Sequence, residues 1–205
     1  MKIIKQSYKI TRFNPEMDVY DICDGYCTCY HSKMPPTFES QCEFIRKHRE
    51  HESPLEHSRL SVKFFINRGI SHELVRHRLA SFSQESIRWC NDSKDRFGNE
   101  LTFTDDETIK EFFKSNDLLE TIEQKYIDML AAGFKAEQAR AILPNNLKTT
   151  LLVTANFREW RHIFAERCTK RAHYQMREVM IPLFHEVNSV LPCVFDDLEE
   201  YIAYD

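Results

Sequence analysis

Four glycines in 205 residues, Gly25, Gly69, Gly98 and Gly133, are the feature that most narrows what this chain can fold into. No two stand close enough for a GxGxxG turn or a Walker loop, so a glycine-cradled dinucleotide or P-loop fold is excluded. Any phosphate held here must be held by side chains and ordinary backbone. The side chains suited to that task crowd into one run, Arg76 to Arg88, where three arginines, His77, Gln84 and Ser81, Ser83 and Ser86 occur together. Arginine offers a planar fork of donors matched to phosphate oxygens, and hydroxyls and amides complete such a shell. The preceding residues, Ser71 to Val75, read as a short helix with Ser71 as N-cap and Glu73 in its first turn, which would put the cations at a helix C-terminus. Dipole complementation alone does not account for the serines and Arg88 that follow. At about 100° per residue, Arg76 and Arg78 would leave a helix end on opposite sides, which points to two anionic ligands.

A net charge of −4 argues against general nucleic-acid binding, since backbone-tracking proteins carry a basic surplus over the whole domain. Any basic site is therefore local. No stretch is long and apolar enough to span a bilayer, the start alternates like a strand rather than a signal peptide, and seven cysteines, an odd number, fit reduced thiols. A cytoplasmic protein is expected. Cys23, Cys27, Cys29 and His31 match neither zinc nor iron–sulfur spacing, and His51-Glu52-Ser53-Pro54-Leu55-Glu56-His57 lacks the HExxH register, with Pro54 against a continuous helix, so no metal is expected.

Along the chain, residues 2 to 12 read as a strand and Asn14-Pro15 as a turn before a helix over 16 to 28. A second helix over Thr37 to Lys47 takes Thr37 as N-cap with Phe38, Cys42 and Ile45 on its apolar side. His51 and Ser53 sit in a loop. Leu60, Val62, Phe64 and Ile66 alternate as a strand. Asn91 to Asn99 reads as an exposed loop, 104 to 132 as one helix stopped by Gly133, and 135 to 142 as a short helix ended by Pro144. A strand over 147 to 156, helices over 157 to 168 and 172 to 190, and a tail around Asp196-Asp197 complete the pattern. Without regular βαβ alternation, this order predicts a single α+β domain, residues 1 to 205, with a small, mostly antiparallel sheet flanked by long helices.

The run RHRLASFSQESIRW resembles the signature of flavin-dependent thymidylate synthases, in which RHR is followed by seven residues, a serine and, two further on, an arginine; Ser86 and Arg88 stand at those places. HESPLEH, ARAILP and NFREWRHIFAERC resemble further segments of that family in the same order. The resemblance implies methylation of dUMP to dTMP, with carbon from methylenetetrahydrofolate and electrons from NADPH through bound FAD, in a homotetramer with shared active sites. It implies FAD contacts at His51, Ser53, Arg76, His77, Arg78, Gln84, Asn156, Arg158 and His162. It implies dUMP contacts at Glu73, Arg76, Gln84, Glu85, Ser86, Ile87, Arg88, Arg140 and Arg167. Ser83-Gln84-Glu85 departs from the family's Asn-Glu, which leaves Gln84 and Glu85 as alternative partners of the uracil.

Carbon 5 of uracil is a weak nucleophile and must be activated by addition at carbon 6 or by polarisation of the ring. Ser86 has no base at a recognisable spacing and reads as a ligand contact. Arg167 follows Trp160, Ile163 and Phe164 at i+7, i+4 and i+3 on one helical stripe, and the resemblance makes it the catalytic cation that favours the ionised pyrimidine. Two other readings compete: a nucleic-acid-binding module with Phe82 and Trp89 stacking bases, and a metal-dependent phosphohydrolase using His51, His57, His72 and His77.

Overall fold

The computed structural model describes residues 1–88 and 100–203. The loop expected over Asn91 to Asn99, and Trp89, lie outside the described residues. The fold is α+β and mostly helical, with a small, mostly antiparallel sheet, as the pattern of elements predicts. Strands β2 (Ser7–Arg12), β3 (Leu60–Asn67), β4 (Ala80–Gln84) and β6 (Lys148–Ala155) form a four-stranded sheet in the order β2-β3-β6-β4, and β1 (Lys2–Ile4) pairs in parallel with β5 (Thr102–Thr104). The single strand expected over residues 2 to 12 is thus two strands in two different sheets. Lys5-Gln6 interrupts them, and Ile4 O accepts from Asp105 N at 2.7 Å where β1 ends. No glycine or proline marks that break.

The chain divides into two compact units. The first comprises residues 1–7, 64–75 and, among those described, 83–88 and 100–151. Its core gathers Leu101, Phe103, Leu119, Tyr126, Ala139 and Leu147, with Ile87 packed against it. The amino terminus is fastened there, the Met1 ammonium lying 3.0 Å from Glu123 and 3.4 Å from Glu100. The long helix expected over 104 to 132 is instead β5, α4 (Lys110–Ser115) and α5 (Leu118–Ala131). Asp117 breaks it by adopting φ +46°, a left-handed conformation that Asp tolerates better than most residues. Gly133, at φ +90°, ends α5 as expected, because a side chain there would be strained. A short helix α6 (Ala136–Ala139) then leads into a 3₁₀ turn at Arg140–Ile142.

The α3 helix (Arg68–Leu74) corrects a second expectation. Its N-cap is Asn67, whose Oδ1 accepts from Ile70 N at 2.8 Å, and Ser71 lies fully buried inside the helix with its hydroxyl donating to Arg68 O. Both Asn67 and Ser71 suit a cap, and the strand that runs into Asn67 decides between them.

The second unit comprises residues 8–63, 76–82 and, among those described, 152–203. Helix α1 (Pro15–Tyr30) starts with Pro15 in its first turn under the Asn14 cap, and α2 (Phe38–His48) carries a capping box between Thr37 and Ser40. On α2 the buried residues are Gln41 and Ile45, whereas Phe38 and Cys42 stay partly open. Gly25 lets α1 lie against the HESPLEH segment, since a Cβ there would meet the His57 ring at 3.0 Å and Pro54 at 3.2 Å. That segment is a 3₁₀ helix, Ser53–His57. Helices α7 (Phe157–Arg167) and α8 (Tyr174–Val190) bury Trp160, Phe164 and Phe184, and the expected tail is α9 (Pro192–Phe195) followed by a 3₁₀ segment, Asp196–Tyr201, with Val194 and Phe195 fully buried. No helix of the described residues is long and apolar enough to cross a membrane.

Candidate functional site

The site in the second unit is built on α7. Its first turn is fixed three times: Asn156 Oδ1 accepts from Glu159 N at 2.9 Å, Phe157 N donates to Ser58 Oγ at 2.8 Å, and Trp160 Nε1 donates to Leu60 O at 3.0 Å. With Trp160, Ile163 and Phe164 buried as the sequence stripe predicts, the helix cannot rotate without exposing them. Arg158, His162 and Arg167 then border a cleft of about 1020 Å³, together with Arg76, His77 and Arg78.

The RHR triplet reaches this cleft by a route that helical geometry did not anticipate. Val75 caps α3, and the next three residues alternate exposed, buried, exposed. In the turn that follows the helix, Arg76 and Arg78 border one cavity with exposed side chains, and His77 between them is buried at its wall. The inference of two anion sites from their divergence fails with the helix it assumed.

The cations of the cleft are not equivalent. Arg158 lies 2.6 Å from Glu56 and 3.4 Å from Glu52, and these carboxylates hold its pKa above the usual value. Arg161 is 8% exposed; it forms a two-pronged pair with Asp197, at 2.7 Å for both bonds, and donates to Val194 O. Arg76 and Arg78 have no acidic partner among the described residues. Arg167, half-buried, donates from Nε to His77 Nε2 at 3.0 Å. His77 is pushed down to about 4, first by burial and then by the charges of Arg167 and His162, so its ring is neutral.

The remaining expected FAD contacts are placed differently. His51 is exposed, Ser53 opens the 3₁₀ helix, and Asn156 serves α7 as its N-cap; none of the three borders the cleft. Gln84 belongs to the first unit. There its amide donates to Ser71 Oγ at 2.8 Å and to Thr149 Oγ1 at 3.4 Å. Glu85 accepts from Lys148 Nζ at 2.9 Å and Thr150 N at 3.0 Å, and Ser86 Oγ accepts from Arg88 N at 3.3 Å. Arg88 Nη2 approaches Glu137 at 3.6 Å, with Arg88 itself exposed. Glu73 and Arg140 are half-buried in the same unit, and Arg76 and Arg167 are the two expected dUMP contacts that lie in the other.

Several participants escaped the sequence reading. Arg68 has a buried Nη1 with no hydrogen-bond partner among the described residues, and burial and the charge of Arg140 lower its pKa against the pull of Glu85. Glu159 and Arg161 are buried on α7 beside the apolar stripe, where spacing alone gives no sign of them. The histidines of the phosphohydrolase reading do not assemble: the metal-type cluster among the described residues is His77, Glu159 and His162, and Arg167 already occupies the Nε2 lone pair of His77.

Comparison with known proteins identifies the family. The family model described as thymidylate synthase complementing protein matches residues 21–193. A flavin-dependent thymidylate synthase from Geobacter sulfurreducens is 34% identical over 148 residues, which cover 72% of this chain and 64% of that protein. The chain thus spans somewhat less than two thirds of that relative. A flavin-dependent thymidylate synthase from Mycobacterium avium is 32% identical over 191 residues, covering 83% of this chain and 76% of its own length. Among solved structures, the flavin-dependent thymidylate synthase of Helicobacter pylori complexed with FAD and dUMP superposes with a TM-score of 0.75 at 21% identity, over 96% of this chain and all of that one. On the family match across most of its length, the chain belongs to the thymidylate synthase complementing proteins, the family of the flavin-dependent thymidylate synthases.

Proposed function

We propose that the whole chain acts as one enzyme domain that binds FAD and dUMP and converts dUMP to dTMP. Methylenetetrahydrofolate would supply the carbon and NADPH the electrons. We place it in the cytoplasm as a homotetramer whose active sites are shared between subunits. The observation that carries the reading is the pair Arg76 and Arg78, bordering one cleft without acidic partners among the described residues, next to an arginine held by a buried neutral histidine. A diphosphate needs cationic forks where no glycine cradle exists, and these two supply them. The cleft, at about 1020 Å³, is at the upper end of the size usual for ligand pockets. These residues fit FAD, with Arg76 and Arg78 toward its diphosphate and Arg158 and His162 on the α7 side. Bound there, the flavin would supply the redox chemistry.

The chain's own part is electrostatic. Arg167 cannot shed its proton, so it keeps a fixed positive charge wherever His77 holds it. Beside a uracil ring, that charge would stabilise negative charge on the pyrimidine and so make carbon 5 a better nucleophile. Ser86 takes no part as a nucleophile: its hydroxyl oxygen is engaged by Arg88 N, and no base is bonded to it among the described residues.

Purified protein given FAD should develop flavin absorbance bands and quench flavin fluorescence at micromolar concentration. With dUMP, methylenetetrahydrofolate and NADPH it should form dTMP. Arg167→Ala should nearly abolish dTMP formation in a single turnover from prereduced flavin while NADPH still reduces the flavin. Wild-type turnover in a folded Arg167→Ala protein would remove Arg167 from the chemistry, and failure to bind FAD would remove the flavoenzyme reading.

A further inference from the structure

We propose that Glu159 is a positioning residue: it holds His77 in the tautomer with the proton on Nδ1, so that Nε2 presents a lone pair to Arg167 and fixes the plane of its guanidinium. The proposal rests on the assignment of Arg167 to the uracil. Three observations carry it. Arg167 Nε lies 3.0 Å from His77 Nε2, and a guanidinium only donates, so Nε2 must accept. A neutral imidazole has one proton, and with Nε2 accepting it must sit on Nδ1. His77 Nδ1 faces Glu159 Oε1 at 3.5 Å.

The contact is long for a hydrogen bond, but at 3.5 Å the electrostatic attraction of a carboxyl oxygen still favours a proton on the nearer ring nitrogen. Both groups are almost shut off from water, His77 at 6% and Glu159 at 5% exposure, so solvent competes little for either. The low pKa of His77 is consistent, since a protonated ring would lose the acceptor that Arg167 uses. A helix that needed only an apolar filling at position 159 would bury no carboxyl group there, because a buried polar group is costly unless it is bonded. His162 packs edge-on to His77 at 5.4 Å between ring centroids, and its ligand atom lies within 4.8 Å of those of both His77 and Glu159. The same logic, a carboxylate orienting an imidazole that in turn orients the reacting group, operates in hydrolase triads.

The test uses Glu159→Gln, which preserves shape but lets an amide N–H face Nδ1, and Glu159→Ala as a second variant. In the FAD-loaded protein with ¹⁵N-labelled histidine, the His77 resonances, assigned by their loss in His77→Gln, should show the Nδ1–H form in the wild type. In Glu159→Gln a substantial Nε2–H population should appear. Single-turnover dTMP formation should fall about 10-fold to 100-fold, the range usual for loss of an orienting partner, while the KM for dUMP changes by less than about threefold. Adding Arg167→Lys to Glu159→Gln should cost no more than Arg167→Lys alone, because both changes break one chain of contacts. A wild-type proton on Nε2, an unchanged tautomer in Glu159→Gln and Glu159→Ala, or losses that multiply in the double variant would each overturn the proposal. The tautomer measurement needs no turnover, so a wild type that forms no dTMP would refute the enzymatic assignment and leave the His77–Glu159 result standing.

Discussion

Arg161 and Arg167 sit on one helix, six residues apart, and their surroundings divide them. Arg161 is buried against Asp197 and the carbonyl of Val194, where removal of the cation leaves the Asp197 carboxylate only the more distant Arg49, at 3.5 Å. Burial alone would raise the Asp197 carboxyl, but the hydrogen bonds and charge of Arg161, aided by Arg49, outweigh it and hold the group below its ordinary value. Breaking such a pair from one side costs about 3 to 5 kcal/mol, discounted toward the lower end because Asp197 keeps some water contact. Arg161→Ala should therefore lower the thermal midpoint sharply, whereas Arg167→Ala should lower turnover with little change in midpoint. Calorimetry on the two variants checks this; an equal loss of stability would contradict the division. The pH sign follows: Asp197 is depressed in the fold, so its contribution is complete above the unfolded carboxyl value of about 3.9 and is lost as pH falls through the lower folded value. In Arg161→Ala that acid limb of the stability profile should flatten.

Elements with a clean hydrophobic period were legible in the sequence. The β3 alternation, the β6 strand and the α7 stripe all sit where the residues predict them, because burial of one face overrides local preference. What was not legible is turn chemistry without glycine or proline. Asp117 breaks a helix and Lys5-Gln6 parts two strands, with no residue that demands it. The start of α3 is ambiguous in the sequence for a related reason, since Asn67 and Ser71 are both good caps and only the end of β3 chooses. Asn156 shows the same ambiguity inside the candidate site: the resemblance implies a flavin contact, and the structure gives its side-chain oxygen to Glu159 N as the cap of α7. Asn156→Ala should cost about 1 kcal/mol of stability, and Asn156→Asp or Asn156→Ser should recover most of it. Denaturant midpoints for the three variants decide the matter. A loss of FAD affinity with no change in midpoint would mean that the cap role is incidental.

At the scale of the whole molecule, the expected flavin contacts fall mainly in one unit and the expected nucleotide contacts mainly in the other, with Gln84, Arg76 and Arg167 the exceptions. Resemblance placed both sets on the chain, but no sequence pattern says how a unit orders its own charges. Glu85 and Gln84 illustrate this, because Lys148 and Thr150 N already engage the Glu85 carboxylate while Ser71 and Thr149 engage the Gln84 amide. Under the shared-site proposal sedimentation should report a tetramer, and a fully active monomer would refute it.

Arg88 carries the sharpest test of that separation. It is exposed, and its acidic partner among the described residues, Glu137, stands 3.6 Å away on a surface where such pairs contribute little. A cation held so loosely can leave its partner for a dianionic phosphate at small cost, and the planar guanidinium can then bind two oxygens at once. Its backbone N–H is tied to Ser86 Oγ, which fixes the local turn without using the side chain. Arg88→Ala should therefore leave the thermal midpoint within about 0.5 kcal/mol of wild type, as for surface substitutions generally. It should weaken dUMP binding by about 2 to 4 kcal/mol, the cost of removing one partner from a charge-assisted contact. FAD affinity should stay nearly intact, because Arg76 and Arg78 border a cleft of which Arg88 forms no part. Titration calorimetry with each ligand separately reads both effects, and equal losses for FAD and dUMP would show that one set of residues serves both.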